Sequence, residues 1–230
     1  MFERLKKAFS KEVPGMFGIA DSPRGADVAK WATEMGYGLA ASDSGRVQSI
    51  TGKVHGKPWR LDVGPSSRTF IRGEELRARA EIGINEDVSV LVMNRPLKVA
   101  LEKQAYSLYT DSLQTTADPN LPEEMRWLSM YQEFGWDTLS LSFWDRFSVM
   151  GDERETAMAF LTKELSSQMM TWPQDGTNAE VPFILMLLRG KVYLRMEYSP
   201  STVATLQHGS KVFLCACESA IGGLSTDIAL

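Results

Sequence analysis

The sequence predicts an α+β protein, with antiparallel meanders and hairpins, helices packed on one face, and an order of elements that also admits two related halves. Three observations carry this expectation. Apolar residues recur in strand-like stretches bounded by turn chemistry between residues 37 and 63, and again between 181 and 198. Helix starts marked by proline, at Pro23, Pro96, Pro122 and Pro200, are interleaved with those stretches. The composition, 43% hydrophobic and 23% charged, is that of a chain that folds around a core rather than one that stays disordered.

Residues 1–13 have the pattern of a short amphipathic helix, with Phe2, Leu5 and Phe9 near one face and Arg4, Lys6, Lys7 and Lys11 mostly elsewhere. Ser22-Pro23 opens a second helix that Gly36 closes after Met35. Three strands follow, at 37–42, 46–54 and 58–63, separated by Asp43-Ser44-Gly45 and His55-Gly56-Lys57. After the loop residues Gly64-Pro65-Ser66-Ser67-Arg68, Leu76, Ala78, Ala80 and Ile82 alternate with Arg77, Arg79 and Glu81, as on a half-buried strand. Glu74-Glu75-Leu76-Arg77 also suits a helix. Val88 to Met93 reads as a buried strand, and Asn94 as the N-cap of a helix from Pro96 to Ala105.

Pro122 to Phe134 is expected to be a helix, with Glu123 and Glu124 in its first turn and Gly135 at its end. Phe143 to Met150 has the look of a strand. Asp152 then caps a long helix carrying Ala157, Phe160, Leu161, Leu165 and Met169 at helical spacing. Val181–Leu188 and Val192–Tyr198 form a hairpin across Arg189-Gly190-Lys191, and Ser199-Pro200 opens a helix to Gly209. Lys211 to Ala216 stays open between strand and helix. The expected organisation is a terminal helix at 1–13, an α+β first half at 22–110 and an α+β second half at 121–230, which one domain can also hold. Two strands followed by a proline-started helix occur at 76–105 and again at 182–208.

Charge is uneven along the chain. Residues 46–103 hold eleven Lys/Arg against seven Asp/Glu, whereas residues 105–230 hold eight against sixteen. Such asymmetry marks either ordinary solvated faces or a surface that attracts an anionic partner.

In the second half, Phe147-Ser148-Val149, the acidic Asp152 and Glu153, Ala159-Phe160-Leu161-Thr162, Glu164-Leu165 and the run Leu187 to Leu194 resemble an uncharacterised bacterial family of unknown function. The resemblance spans about a third of the chain. It implies a bacterial source and no known activity, and it supplies no site residues. Members of that family are often tethered by membrane-spanning helices. No such helix is expected here, because the longest apolar run, Val181 to Leu188, is far shorter than the roughly 20 residues a bilayer requires.

Motifs for catalysis are missing. The two histidines, His55 and His208, are a turn residue and a residue near Cys215 and Cys217, a trio one short of the four ligands of a structural zinc site. No Gly-x-Ser-x-Gly elbow, phosphate-binding glycine loop or dinucleotide fingerprint occurs. No catalytic residue, metal or cofactor is therefore expected, and the paired acids Glu74-Glu75, Glu123-Glu124 and Asp152-Glu153 read as helix-start or solvated carboxylates.

Two candidate sites remain. Ser66, Ser67, Arg68 and Arg72 offer hydroxyls and two guanidinium forks suited to phosphate or carboxylate, with Arg60, Arg77 and Arg79 adding to the field. Phe2, Leu5 and Phe9 with Lys6 and Lys7 suit a membrane surface or a partner helix. The aromatic residues from Trp127 to Phe147 suit a core or an interface. The leading expectation is a non-enzymatic cytoplasmic protein-interaction or adaptor module whose partner is another protein or a second copy of itself, with no DNA partner since the chain is acidic overall. A peripheral membrane protein using the first helix, and a small-anion binder or unfamiliar enzyme using the 64–73 loop, are the alternatives.

Overall fold

Two dipeptides with positive φ at both positions, His55-Gly56 (47° and 76°) and Arg189-Gly190 (51° and 70°), make the tight turns whose twist matches antiparallel strands. In the computed structural model, which describes residues 25–41, 47–111, 123–172 and 181–224, they join β2 (Val47–Val54) to β3 (Lys57–Pro65) and β8 (Phe183–Leu188) to β9 (Lys191–Glu197). β1 (Gly38–Ala41), β4 (Glu74–Glu81), β5 (Ser89–Asn94), β6 (Gln132–Phe134) and β7 (Phe147–Gly151) complete one nine-stranded sheet in the order β1-β2-β3-β4-β9-β8-β5-β7-β6. Every neighbouring pair is antiparallel. The α+β class expected from the sequence is the class observed.

Strand pairing crosses the expected midpoint of the chain. β4 pairs with β9 and β5 with β8, so both halves contribute to the centre of the sheet. The recurring strand-strand-helix units carry their helices to opposite faces, α2 (Arg95–Asp111) to one and α7 (Val203–Leu224) to the other.

Side-chain alternation defines the faces. On the front, Val90, Val92, Leu185, Leu187 and Leu194 join a large core with α1 (Gly25–Glu34), α4 (Leu141–Arg146), α5 (Arg154–Phe160), α6 (Lys163–Met170) and α7. On the back, Leu91, Met93, Met150, Ile184 and Met186 form a smaller core with Leu97 and Leu101 of α2 and Trp127 of α3 (Glu123–Met130). The main helical layer thus lies on one face, and α2 and α3 add a second, partial layer. β5 and β8 read as continuous apolar runs because both of their faces are covered.

Several local expectations change. Residues 143–150 divide into the end of α4 and β7, since Ser140 Oγ caps Phe143 N at 3.3 Å and starts a helix that the apolar pattern hides. The helix expected after Asp152 breaks at Leu161, and Thr162 restarts it by accepting from Leu165 N at 3.2 Å. Residues 122–134 hold a shorter helix and then β6, which adds to the sheet edge. Lys211–Ala216 is helical, as α7 continues past Gly209 to Leu224. Gly209 does not stop α7, because it is where the helix closes on the Leu76 side chain, 3.3 Å from where a Cβ would stand.

The aromatic residues expected in a core are there, divided between faces. Trp136, Phe143 and Phe147 belong to the front and Trp127 to the back.

Candidate functional site

Register on the back face brings charged side chains into rows. Arg60, Arg79 and Tyr193 lie directly opposite one another across β3, β4 and β9, and Asp62, Arg77 and Arg195 form the next row. Like charges in direct opposition destabilise a sheet unless they are relieved. Arg60 Nε donates to Asp62 Oδ1 at 2.7 Å, and Lys191 pairs with Glu81 at 3.4 Å. Glu75, fully buried, stands between Arg195 at 3.2 Å and Arg77 at 3.9 Å. A carboxylate removed from water needs such partners. Arg79, exposed in the middle of this group, meets no carboxylate within ion-pair distance among the described residues.

This half of the back face is open. Thr51, Lys53, Arg60 and Arg79 are exposed, in contrast with Met186 and Leu91 under α2 and α3. A shallow concavity of about 820 Å³ runs over it, bounded by Lys53, Arg60, Arg79, Glu81, Lys191 and Tyr193 and reaching Met35 and Tyr37 at the edge. A second hollow, of about 400 Å³, shares Tyr193 and lies between α3 and the β8–β9 hairpin. The front helical layer is mixed in charge: Asp27, Glu34, Asp145, Asp152, Glu153, Glu155, Glu164 and Glu218 are exposed on it, and so are Lys30, Arg154, Lys163 and Lys211.

The loop residues expected to surround one anion are drawn apart. Ser66 Oγ donates to Glu75 Oε2 at 3.0 Å and accepts from Arg68 N at 2.9 Å. Arg68 reaches α3, with Nη1 2.8 Å from Glu124 Oε1 and Nη2 3.6 Å from Glu123 Oε2. Glu124 is 2% exposed, so Arg68 clamps the loop to a buried carboxylate. Ser67 is exposed. Arg72 donates its backbone N–H to Glu197 Oε2 at 2.8 Å and lines a different cleft, with Phe70, Pro96 and Glu197. Glu123 and Glu124, expected to serve a helix start, are the partners of Arg68; only the fold brings positions so far apart in sequence together. Arg60, Arg77 and Arg79, secondary in the sequence, lie on the basic face. Phe2, Leu5, Lys6, Lys7 and Phe9 lie outside the described residues.

His208 and the cysteines sit on α7, in the front layer. A His208 ring nitrogen is 2.9 Å from the Gln168 carbonyl, and the ring stacks edgewise on Trp172 with centroids 4.4 Å apart. Burial pushes the imidazole pKa down. On a helix a two-residue step turns side chains by about 200°, so the free Cys215 and Cys217 part instead of sharing a side as they would on a strand. Burial pushes both thiols up, away from the reactive thiolate form. Among the described residues no three His, Cys, Asp or Glu side chains are grouped to hold a metal ion. No described helix is long and apolar enough to cross a membrane.

No protein-family model and no curated protein matches the chain, so the resemblance carried by residues 147–194 stays a resemblance. Among solved structures, the chain is similar to the mycobacterial trehalose monomycolate transport factor A, TtfA. The identity is 10%, the TM-score 0.47, and the alignment covers 85% of this chain and 93% of that one. At that score the likeness carries no argument about function.

Proposed function

We propose that this protein is a non-enzymatic cytoplasmic binding module that docks an acidic segment of a partner protein on the open half of its back face. One observation carries the reading: in a chain of net charge −4, half of a sheet face stays clear of the helices seen over the other half and displays Lys53, Arg60, Arg79 and Lys191 around a concavity. Surface that only needs solubility has no reason to gather like charges in direct cross-strand opposition, which costs stability. Arg79 and Lys53, which have no carboxylate within ion-pair distance among the described residues, are the natural first contacts for acidic side chains.

The chemistry of the face favours holding over transforming. It offers guanidinium, ammonium and carboxylate groups and Tyr193, whereas His208, Cys215 and Cys217 lie on the front helix α7 and His55 at a hairpin tip. The free thiols suit the reducing cytoplasm. A separate partner is favoured over a second copy. The basic face would repel its own copy in a two-fold dimer, and the helical layer across the sheet offers a second copy Lys30, Arg154, Lys163 and Lys211 among its carboxylates.

The test is affinity capture from the native host with two baits, the natural protein and an Arg60→Glu/Arg79→Glu variant. Proteins of acidic character recovered by the first and lost by the second are expected. Identical recovery by both baits rejects the reading.

A further inference from the structure

The hollow between α3 and the β8–β9 hairpin differs from the docking face in having walls. Trp127, Tyr131 and Tyr193 line it with Met186 and Leu188, and Arg68, Arg126, Arg189 and Arg195 supply its charge. Its volume of about 400 Å³ suits a small organic molecule or one large side chain.

Its four guanidinium groups are not equivalent. Arg68 holds Glu124 at 2.8 Å and Arg195 holds Glu75 at 3.2 Å, so two are already engaged by buried carboxylates. Arg126 and Arg189 have no carboxylate within ion-pair distance among the described residues, and Arg126 Nε, like Arg68 Nε, is buried without a hydrogen-bond acceptor. An unsatisfied buried donor on a charged group is costly, and an acceptor oxygen on a ligand relieves it. Glu86 and Glu123 also line the hollow. They oppose a dianion such as a phosphate monoester twice as strongly as a carboxylate, whose two oxygens suffice for one contact to each unengaged arginine.

We infer that this hollow binds a carboxylate on an aromatic or apolar body, the head shared by Arg126 and Arg189 and the body laid against Trp127, Tyr131 and Tyr193. Arg189 lines the hollow from the tip of the β8–β9 hairpin. It takes the left-handed conformation, φ 51°, that the two-residue turn imposes. The inference does not depend on the docking face being a protein interface.

The test is calorimetric titration with 3-phenylpropionate and with the neutral 3-phenylpropanol. Saturable binding of the acid is expected, with affinity reduced about tenfold or more in Arg126→Gln and in Arg189→Asn, as loss of a charge-assisted hydrogen bond implies. Asn tolerates the left-handed turn position, so Arg189→Asn preserves the hairpin. The Arg60→Glu/Arg79→Glu variant should bind the acid as the natural protein does, which separates this claim from the docking face. A peptide ending in Phe that competes with the acid, and stops competing when amidated, assigns the carboxylate to a protein C-terminus. Lack of competition assigns it to a free acid. Equal binding of acid and alcohol, no saturable binding of the acid, or undiminished affinity in both arginine variants overturns the inference.

Discussion

His208 shows what burial does to a residue that the sequence offers as a ligand. Its ring bridges α7 to the Gln168 carbonyl at the end of α6 and packs on Trp172, and burial lowers its pKa, with Lys211 adding to the effect and the Gln168 hydrogen bond opposing it. A folded pKa below the unfolded value of about 6.5 means that the unfolded chain takes up the proton first. Stability from this site is therefore full above about pH 6.5 and falls on acidification until the folded pKa is passed. Urea unfolding at pH 7.5 and pH 5.5 checks this. The natural protein should lose more stability between the two than His208→Gln, and equal losses would show that His208 is not the titrating group. The sequence placed His208 near two thiols but gave no sign of Gln168 or Trp172, because those contacts are made between helices.

At the scale of elements, the tie between the 64–73 loop and α3 is the least expected contact. Arg68 is the partner of a carboxylate, Glu124, that has almost no access to water. Removing the guanidinium strands that charge, so Arg68→Ala should cost about 3 kcal/mol. The paired replacement Arg68→Leu/Glu124→Leu leaves no stranded charge and should cost clearly less. Denaturant midpoints of the two variants decide the matter; equal destabilisation would mean that the pair is not coupled. Turns and hairpins were legible from Gly56 and Gly190, whose chemistry is local. The breaks were not. Leu161-Thr162 interrupts a helix whose apolar spacing continues across it, and Thr162 earns its place through contacts on both sides, Leu165 N and Ser219 Oγ at 2.8 Å. Lys211–Ala216 was ambiguous because a helix buried over much of its girth, with Val212, Phe213, Ala216 and Cys217 all covered, loses the polar stripe that reveals the period.

For the whole molecule, basic charge gathers on one side of the sheet. β3, β4 and β9 present arginines there, whereas α5, α6 and α7 on the other side mix Glu155, Glu164 and Glu218 with Arg154, Lys163 and Lys211. The charge bias of residues 46–103 hinted at this, and the alternation of Arg77 and Arg79 with Leu76, Ala78 and Ala80 already placed both arginines on one side of a strand. What the sequence could not supply is that β9 brings Arg195 and Tyr193 beside them, or that α3 stops short of covering them, since both facts depend on strand order. Binding through exposed charge is screened over about 10 Å in 0.1 M salt, so the docked partner should dissociate as salt rises. The most direct test of the basic face is lysine acetylation footprinting of the complex with the captured partner. Lys53 and Lys191 should be protected while Lys163 and Lys211 of the helical layer react as in the free protein. Protection of Lys163 and Lys211 with Lys53 and Lys191 left reactive would contradict the account.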